Sequence, residues 1–218
     1  MRFLCDGAEL DVPVRRVIVA GWTGRDTEAV QHHIAELAAL GVPPPSAVPL
    51  FYRVSRSLLT RDAEIEVLGP DTSGEVEPVI LHHDGALWLG LGSDHTDRAL
   101  EATSVAAAKQ ACPKPVGPEL WPLGQVEDRL DGLELRCWID EGTGDWTLYQ
   151  EGTLARIRPL GDLVQKAGLE PGDLMFCGTL PAIGPIRPAG RCRMDLSDPI
   201  RQRRLTLTYR VDPLPVVA

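Results

Sequence analysis

Glycine and proline interrupt this chain so often that no long uniform element can run through it. There are 21 glycines and 19 prolines among 218 residues, dispersed between short apolar runs and following no G-X-Y period. Glycine supplies positive φ, and proline fixes φ while removing a strand donor, so this punctuation predicts many turns between short strands. With 44% hydrophobic residues the chain is long enough to bury a core. The expectation is therefore a β-rich α+β fold, with collagen and low-complexity disorder excluded.

The strands read out one by one. Val17–Ala20 is an apolar run ending at Gly21, and LFYRV, EIEVL, EVEPVILH and ALWLGLG follow between turn signals. The last two are joined by Asp84-Gly85, a hairpin dipeptide. Leu133–Ile139, Trp146–Leu148, LMFCGT and RRLTLTYRV continue the pattern. Three helices are expected. One spans Thr27–Leu40, with Val30, Ile34, Leu37 and Leu40 at helical spacing and Gly41 as its stop. A second covers Arg98–Lys109, and a third Pro159–Ala167, closed by Gly168. Without a repeat or linker, residues 1–218 read as one domain. A small strand and lid-helix part (1–48) precedes a catalytic core (49–218).

The formal net charge is −9, which disfavours nucleic-acid and anionic-membrane partners. Cys5, Cys112, Cys137, Cys177 and Cys192 are odd in number and contain no C-x-x-C pair, so neither a disulfide framework nor a zinc knuckle is expected. The N-terminus lacks a signal-peptide core, and no apolar run approaches a membrane span. A cytoplasmic, soluble protein is the expectation.

Chemistry concentrates at Glu75 and Glu77. Two apart on a strand, they point to one face while Val76 turns away, and such carboxylates repel unless a cation lies between them. If the strands around Asp84-Gly85 pair, Asp94 ends beside them. Three carboxylates and no soft ligand suit Mg²⁺ or Mn²⁺. A solvated strand with alternating charge is the plain alternative, and Glu64 with Glu66, or Asp97 in place of Asp94, compete for the role.

The order of motifs resembles that of the fumarylacetoacetate hydrolase superfamily. Gly74-Glu-Val-Glu-Pro-Val-Ile80 matches its metal strand, and Ser93-Asp-His-Thr-Asp-Arg98 its N-D-x-S-x-R segment. Lys109 precedes Pro115-Val-Gly-Pro118, and Leu169-Glu-Pro-Gly-Asp through Gly178-Thr179 matches the final L-x-P-G-D…G-T segment. The resemblance implies that family's mixed β-sheet roll with a few short helices, and a homodimer. It makes Glu75, Glu77 and Asp94 the metal ligands. AVPLFYRVSRSLL resembles the family's P-x-x-F-x-K-P-x-S-S-L, which puts Arg53 and Ser57 at the substrate. Thr96, Arg98, Gln150, Gly178 and Thr179 join them there, and Lys109 stands as a catalytic cation.

Relatives often close the metal site with an H-x-x-E dyad, and His33-Ile-Ala-Glu36 has that spacing on the first helix. Glu36 would orient His33 for proton transfer, with His32 the weaker candidate. The implied activity is that of a divalent-metal hydrolase or lyase on a β-diketo or oxo acid, by C–C cleavage, decarboxylation or tautomerisation. The sequence also departs from the family: GWTGRDT lacks its Asn-Tyr pair, and the interval from Glu77 to Asp94 is short. A catalytically silent binding or scaffold relative is therefore the rival. His82 and His83 are expected near the rim, His95 in a structural role, and Cys177 without a histidine partner. Neither a G-x-G-x-x-G motif nor a P-loop supports nucleotide binding.

Overall fold

The structure is a computed structural model that describes residues 1–39 and 43–217. Two sheets carry it. The larger has six strands in the order Trp121–Pro122, Ala86–Ser93, Val76–His83, Asp173–Phe176, Arg16–Gly21 and Leu50–Val54, antiparallel except where Asp173–Phe176 runs parallel to Arg16–Gly21. The second has five strands in the order Thr147–Thr153, Glu134–Asp140, Arg191–Asp198, Arg203–Leu214 and Glu64–Leu68, the last pair parallel. This is the mixed-sheet α+β architecture that the sequence led us to expect.

Strand alternation explains how the six-stranded sheet is buried on both faces. Ile18, Ala20, Val76, Ile80 and Met175 pack in one cluster with Leu135, Ile139, Met194 and Leu207 of the five-stranded sheet. Their neighbours Val17, Val19, Val79, Leu81, Leu174 and Phe176 form a second cluster. Phe3 and Val12 join that second cluster from the N-terminal hairpin, Arg2–Cys5 with Ala8–Asp11. Period-two alternation thus supplies two cores from one set of strands.

The hairpin Val76–Ser93 turns at Asp84-Gly85, whose φ angles of 49° and 72° are those of a type I′ turn. Its register pairs Val76 with Ser93, so the residues flanking the two strand ends meet.

The helices differ from expectation in one place. The first runs Thr27–Ala39, with Asp26 Oδ1 accepting from the N–H groups of Glu28 and Ala29; Leu40 and Gly41, the expected end and stop, lie outside the described residues. The second is two helices, Arg98–Glu101 and Val105–Ala111. Ser104 restarts the chain by accepting from Ala107 N–H, and Asp97 caps the first through Leu100 N–H. Leu160–Ala167 forms as expected, with Gly168 left-handed at its end. No described helix is long and apolar enough to cross a membrane.

Candidate metal centre and cleft

At the end of the six-stranded sheet where Gly21, Glu77, Ser93 and Phe176 terminate or begin their strands, one sheet face changes character. Leu81, Val79 and Glu77 follow one another on the face that belongs to the second core, so apolar packing gives way to carboxylate. The Asp94 N–H donates to Glu75 C=O at 3.0 Å and closes the hairpin base. Carboxylate oxygens of Glu75, Glu77 and Asp94 then lie within 4.8 Å of one another. Glu77 and Asp94 are buried and Glu75 half-buried.

The rival acids have other duties. Asp97 is the helix cap described above, and Glu64, on the far edge of the other sheet, pairs with Arg210.

Three cations surround the triad. Lys109 Nζ forms an ion pair with Asp94 Oδ2 and lies 3.7 Å from Glu75 Oε2. Lys114, fully buried, sits 3.1 Å from Asp94 Oδ1. Arg98 bridges Glu75 at 3.1 Å and Glu101 at 2.7 Å, and donates to Ser73 Oγ. Burial alone would raise the Asp94 carboxyl, but Lys109 and Lys114 outweigh it and hold the group below the usual range. Burial would lower Lys109, yet the three carboxylates keep it well above the ordinary lysine range.

Glu77 is the uncompensated member. Burial, then the charges of Asp94 and Glu75, push its carboxyl well above the usual range; one oxygen accepts the Gly178 N–H at 2.7 Å. Asp94 Oδ1 is buried without a hydrogen bond among the described residues, its approach to Lys114 lacking the alignment.

These features fit a divalent metal. Oxygens at roughly 2.0–2.6 Å from one ion lie within about 5 Å of each other. The donor set is all hard oxygen, and its surplus negative charge is what a cation would neutralise.

A buried network stands behind the triad. The Tyr209 hydroxyl meets Ser93 Oγ at 2.8 Å and His95 Nδ1 at 3.0 Å, His95 Nε2 meets Thr72 Oγ1 at 2.8 Å, and Ser93 Oγ accepts Glu75 N–H at 3.3 Å. Burial, with Lys114 and Arg98 nearby, lowers His95 to about 3, so its ring is neutral. This matches the structural role expected of His95.

Two of the three carboxylates, Glu75 and Glu77, line a cleft of about 1180 Å³ with Arg98, Lys109, Gly178 and Thr179, while Asp94 lies fully buried behind them. His33 also lines it, its ring centroid 6.1 Å from that of Trp22. Its Nδ1 lies 3.6 Å from Glu36 Oε2, too far for a hydrogen bond, and His32 lies 3.4 Å from the same carboxylate; all three side chains are exposed.

Other expected residues fall elsewhere. Arg53 is exposed and outside the cleft lining; Tyr52, its neighbour on the opposite strand face, lines the cleft and lies 5.9 Å under Lys109 Nζ. The motif match was one residue out of phase with the pleat. Ser57 is exposed in a one-turn helix, Arg56–Leu58, away from the cleft lining. Thr96 is buried and donates to Asp94 C=O at 2.9 Å, which fixes the turn.

Gln150 lies behind the wall. It accepts Val76 N–H and donates to Thr179 Oγ1, while Thr179 donates to Val76 C=O at 2.8 Å. Gly178 and Thr179 thus spend their donors on the metal strand. His82 and His83 sit at the turn end of the hairpin, His83 roughly 20 Å from Glu77 at about 3.3 Å per residue, and are removed from the rim. Cys177 is buried and its thiol is pushed well above its usual range by burial, then by Glu77, as suits an inert thiol.

Sequence reasoning missed Lys114, Tyr52 and Trp22. Lys114 stood in CPKPVGP, where only its non-local partner Asp94 marks it.

The fold resembles solved structures. A hexagonal crystal form of 2-keto-3-deoxyarabinonate dehydratase superposes with TM-score 0.64 at 14% identity, covering 95% of this chain and 75% of that one. A proposed isomerase from Escherichia coli gives TM-score 0.64 at 19% identity, covering 94% and 96%. Cg1458 gives 0.63 at 14% identity, covering 93% and 77%. These likenesses show the fumarylacetoacetate hydrolase fold expected from the motifs. No curated protein sequence matches the chain. The family model described as "Protein of unknown function (DUF2848)" matches residues 20–209, and the chain belongs to that family.

Proposed function

We propose that the protein is a divalent-metal-dependent enzyme acting on an oxo acid, by C–C cleavage, decarboxylation or tautomerisation through an enolate. The observation that carries this reading is the cluster of three carboxylates, two of which, Glu75 and Glu77, line a large cleft, crowded by Lys109 and Arg98. A resident Mg²⁺ or Mn²⁺, held by Glu75, Glu77 and Asp94, would supply Lewis acidity toward adjacent oxygens of the substrate.

The rest falls to the chain. Lys109, a cation lining the cleft, stabilises negative charge that develops there. Arg98 holds Glu75 against Glu101. The backbone of Gly178 orients Glu77, and Gln150 with Thr179 pins the strand that carries it. His33, the histidine ring among the lining residues, moves the proton, with Glu36 as its orienting partner. Among the fold neighbours, the 2-keto-3-deoxyarabinonate dehydratase is named for an oxo acid, which is in keeping with this reading.

Calorimetric titration with Mg²⁺ and Mn²⁺ tests the site. Glu75→Ala should weaken binding by more than about 100-fold, beyond the effect of losing an outer partner; equal affinity in the two proteins sinks the assignment. Screening acylpyruvates, oxaloacetate and hydroxydienoic acids with each metal then tests the chemistry. His33→Ala should keep metal affinity and lose turnover.

A further inference from the structure

The cleft is larger than a small oxo acid needs. At about 1180 Å³ it exceeds the usual range of pockets that take drug-sized ligands, roughly 300–1,000 Å³. A four-carbon acid seated at the triad leaves most of it unfilled.

Charged groups (Arg25, Asp26, Glu101 and Arg156) interrupt the lining of the remainder, but most of its surface is apolar, and three separate elements supply the apolar part. On the helix Thr27–Ala39 the lining positions are Ala29, Val30 and His33, one helical face, so the turn before His33 presents small aliphatic groups. Across the cleft, the helices Arg98–Glu101 and Val105–Ala111 and the break between them contribute Arg98, Glu101, Ala102, Val105 and Lys109, with Ala102 and Val105 the apolar members. The stretch after Thr179 adds Leu180, Pro181 and Ile186. Ile186 is 54% exposed, a large aliphatic side chain at the rim. Trp22, near the hinge between strand and helix, lies with its indole N–H 3.4 Å from the Tyr52 hydroxyl and closes the same wall.

We infer that the substrate is an oxo acid bearing an extended alkyl or aryl substituent, its head at the carboxylate triad and its apolar arm across Trp22, Val30, Val105 and Ile186. This rests on the function proposed above and narrows its substrate class. Burial of the arm contributes affinity in proportion to apolar area, about 4-fold for each methylene fully removed from water.

The test is calorimetric titration of the Mg²⁺-loaded full chain with 2,4-dioxo acids whose terminal group grows from methyl through pentyl to phenyl. Affinity is expected to climb by about 4-fold per methylene over the first several carbons. Ile186→Ser and Val30→Ser should flatten that climb; Ile186 is exposed at the rim, so its replacement leaves the core packing alone. Glu75→Ala should weaken every member by a common factor and keep the slope. Metal-dependent binding with no dependence on chain length overturns the apolar arm and leaves the proposed function standing. A slope that persists while Glu75→Ala changes nothing upholds the apolar arm and overturns the head assignment. Failure of the whole series to bind overturns both.

Discussion

The amide of Gly178 donates a 2.7 Å hydrogen bond to Oε2 of Glu77, joining the loop after Asp173–Phe176 to the metal strand. Gly178 has φ 103°, and a Cβ built there would collide with the side chain of Thr23. Gly178→Ala should therefore cost about 2 kcal/mol or more, through backbone strain and displacement of Thr23. It should also weaken Mg²⁺ binding, because Glu77 loses its orienting donor. Chemical denaturation and calorimetry read the two effects; an unchanged midpoint would remove the strain argument.

Lys109 and Asp94 are a buried pair, and breaking such a pair from one side leaves a charge without compensation. Lys109→Met should destabilise the fold by about 3 kcal/mol, with Lys114 still holding the other Asp94 oxygen. Saturating Mg²⁺ should recover part of the loss by neutralising the same carboxylates. Thermal melts with and without the ion measure this. A deficit that is identical in both conditions separates Lys109 from the metal centre.

Acid sensitivity is expected from Asp173, buried and bonded to Arg16 Nε at 2.6 Å and to the Glu170 N–H at 2.8 Å. Burial alone would raise its carboxyl, but Arg16 and the Glu170 amide outweigh it, so the folded pKa lies below the unfolded value near about 3.9. A depressed carboxylate contributes stability that is fully present above the unfolded pKa and is lost as pH falls through the folded one. Wild type should thus lose more stability between pH 5 and pH 3 than Asp173→Asn. Parallel curves for the two proteins refute the assignment.

How far the sequence reached depends on whether a feature is local. The carboxylate hairpin was legible because its register follows from a two-residue turn, and the turn from Asp84-Gly85. The same dipeptide at Asp6-Gly7, with φ 47° and 83°, makes the N-terminal hairpin, whose signal was equally plain and went unread. The break between Arg98–Glu101 and Val105–Ala111 is hidden in the sequence, because the alanines around Ser104 mask its capping role. Arg53 was chosen by motif type, and a motif does not say which face of a strand a residue takes. The parallel pairing of Glu64–Leu68 with Arg203–Leu214 and the burial of Lys114 against Asp94 depend on distant segments, so no local pattern announces them.

Tyr209 illustrates the last kind of feature and gives the sharpest test of the support behind the triad. It lies more than a hundred residues from the metal strand, yet its hydroxyl joins Ser93 and His95, and Ser93 in turn receives the Glu75 amide. Tyr209→Phe keeps the ring and its packing but leaves two buried partners short of a hydrogen bond, at a cost of about 1–3 kcal/mol. Because Ser93 and His95 flank Asp94, the loosened network should also lower Mg²⁺ affinity by about 10-fold, the scale of an outer-shell defect. Calorimetry set beside a denaturation curve distinguishes the outcomes. Lower stability with unchanged metal affinity assigns Tyr209 to the core alone, whereas a fall in both makes it a positioning residue for the carboxylates.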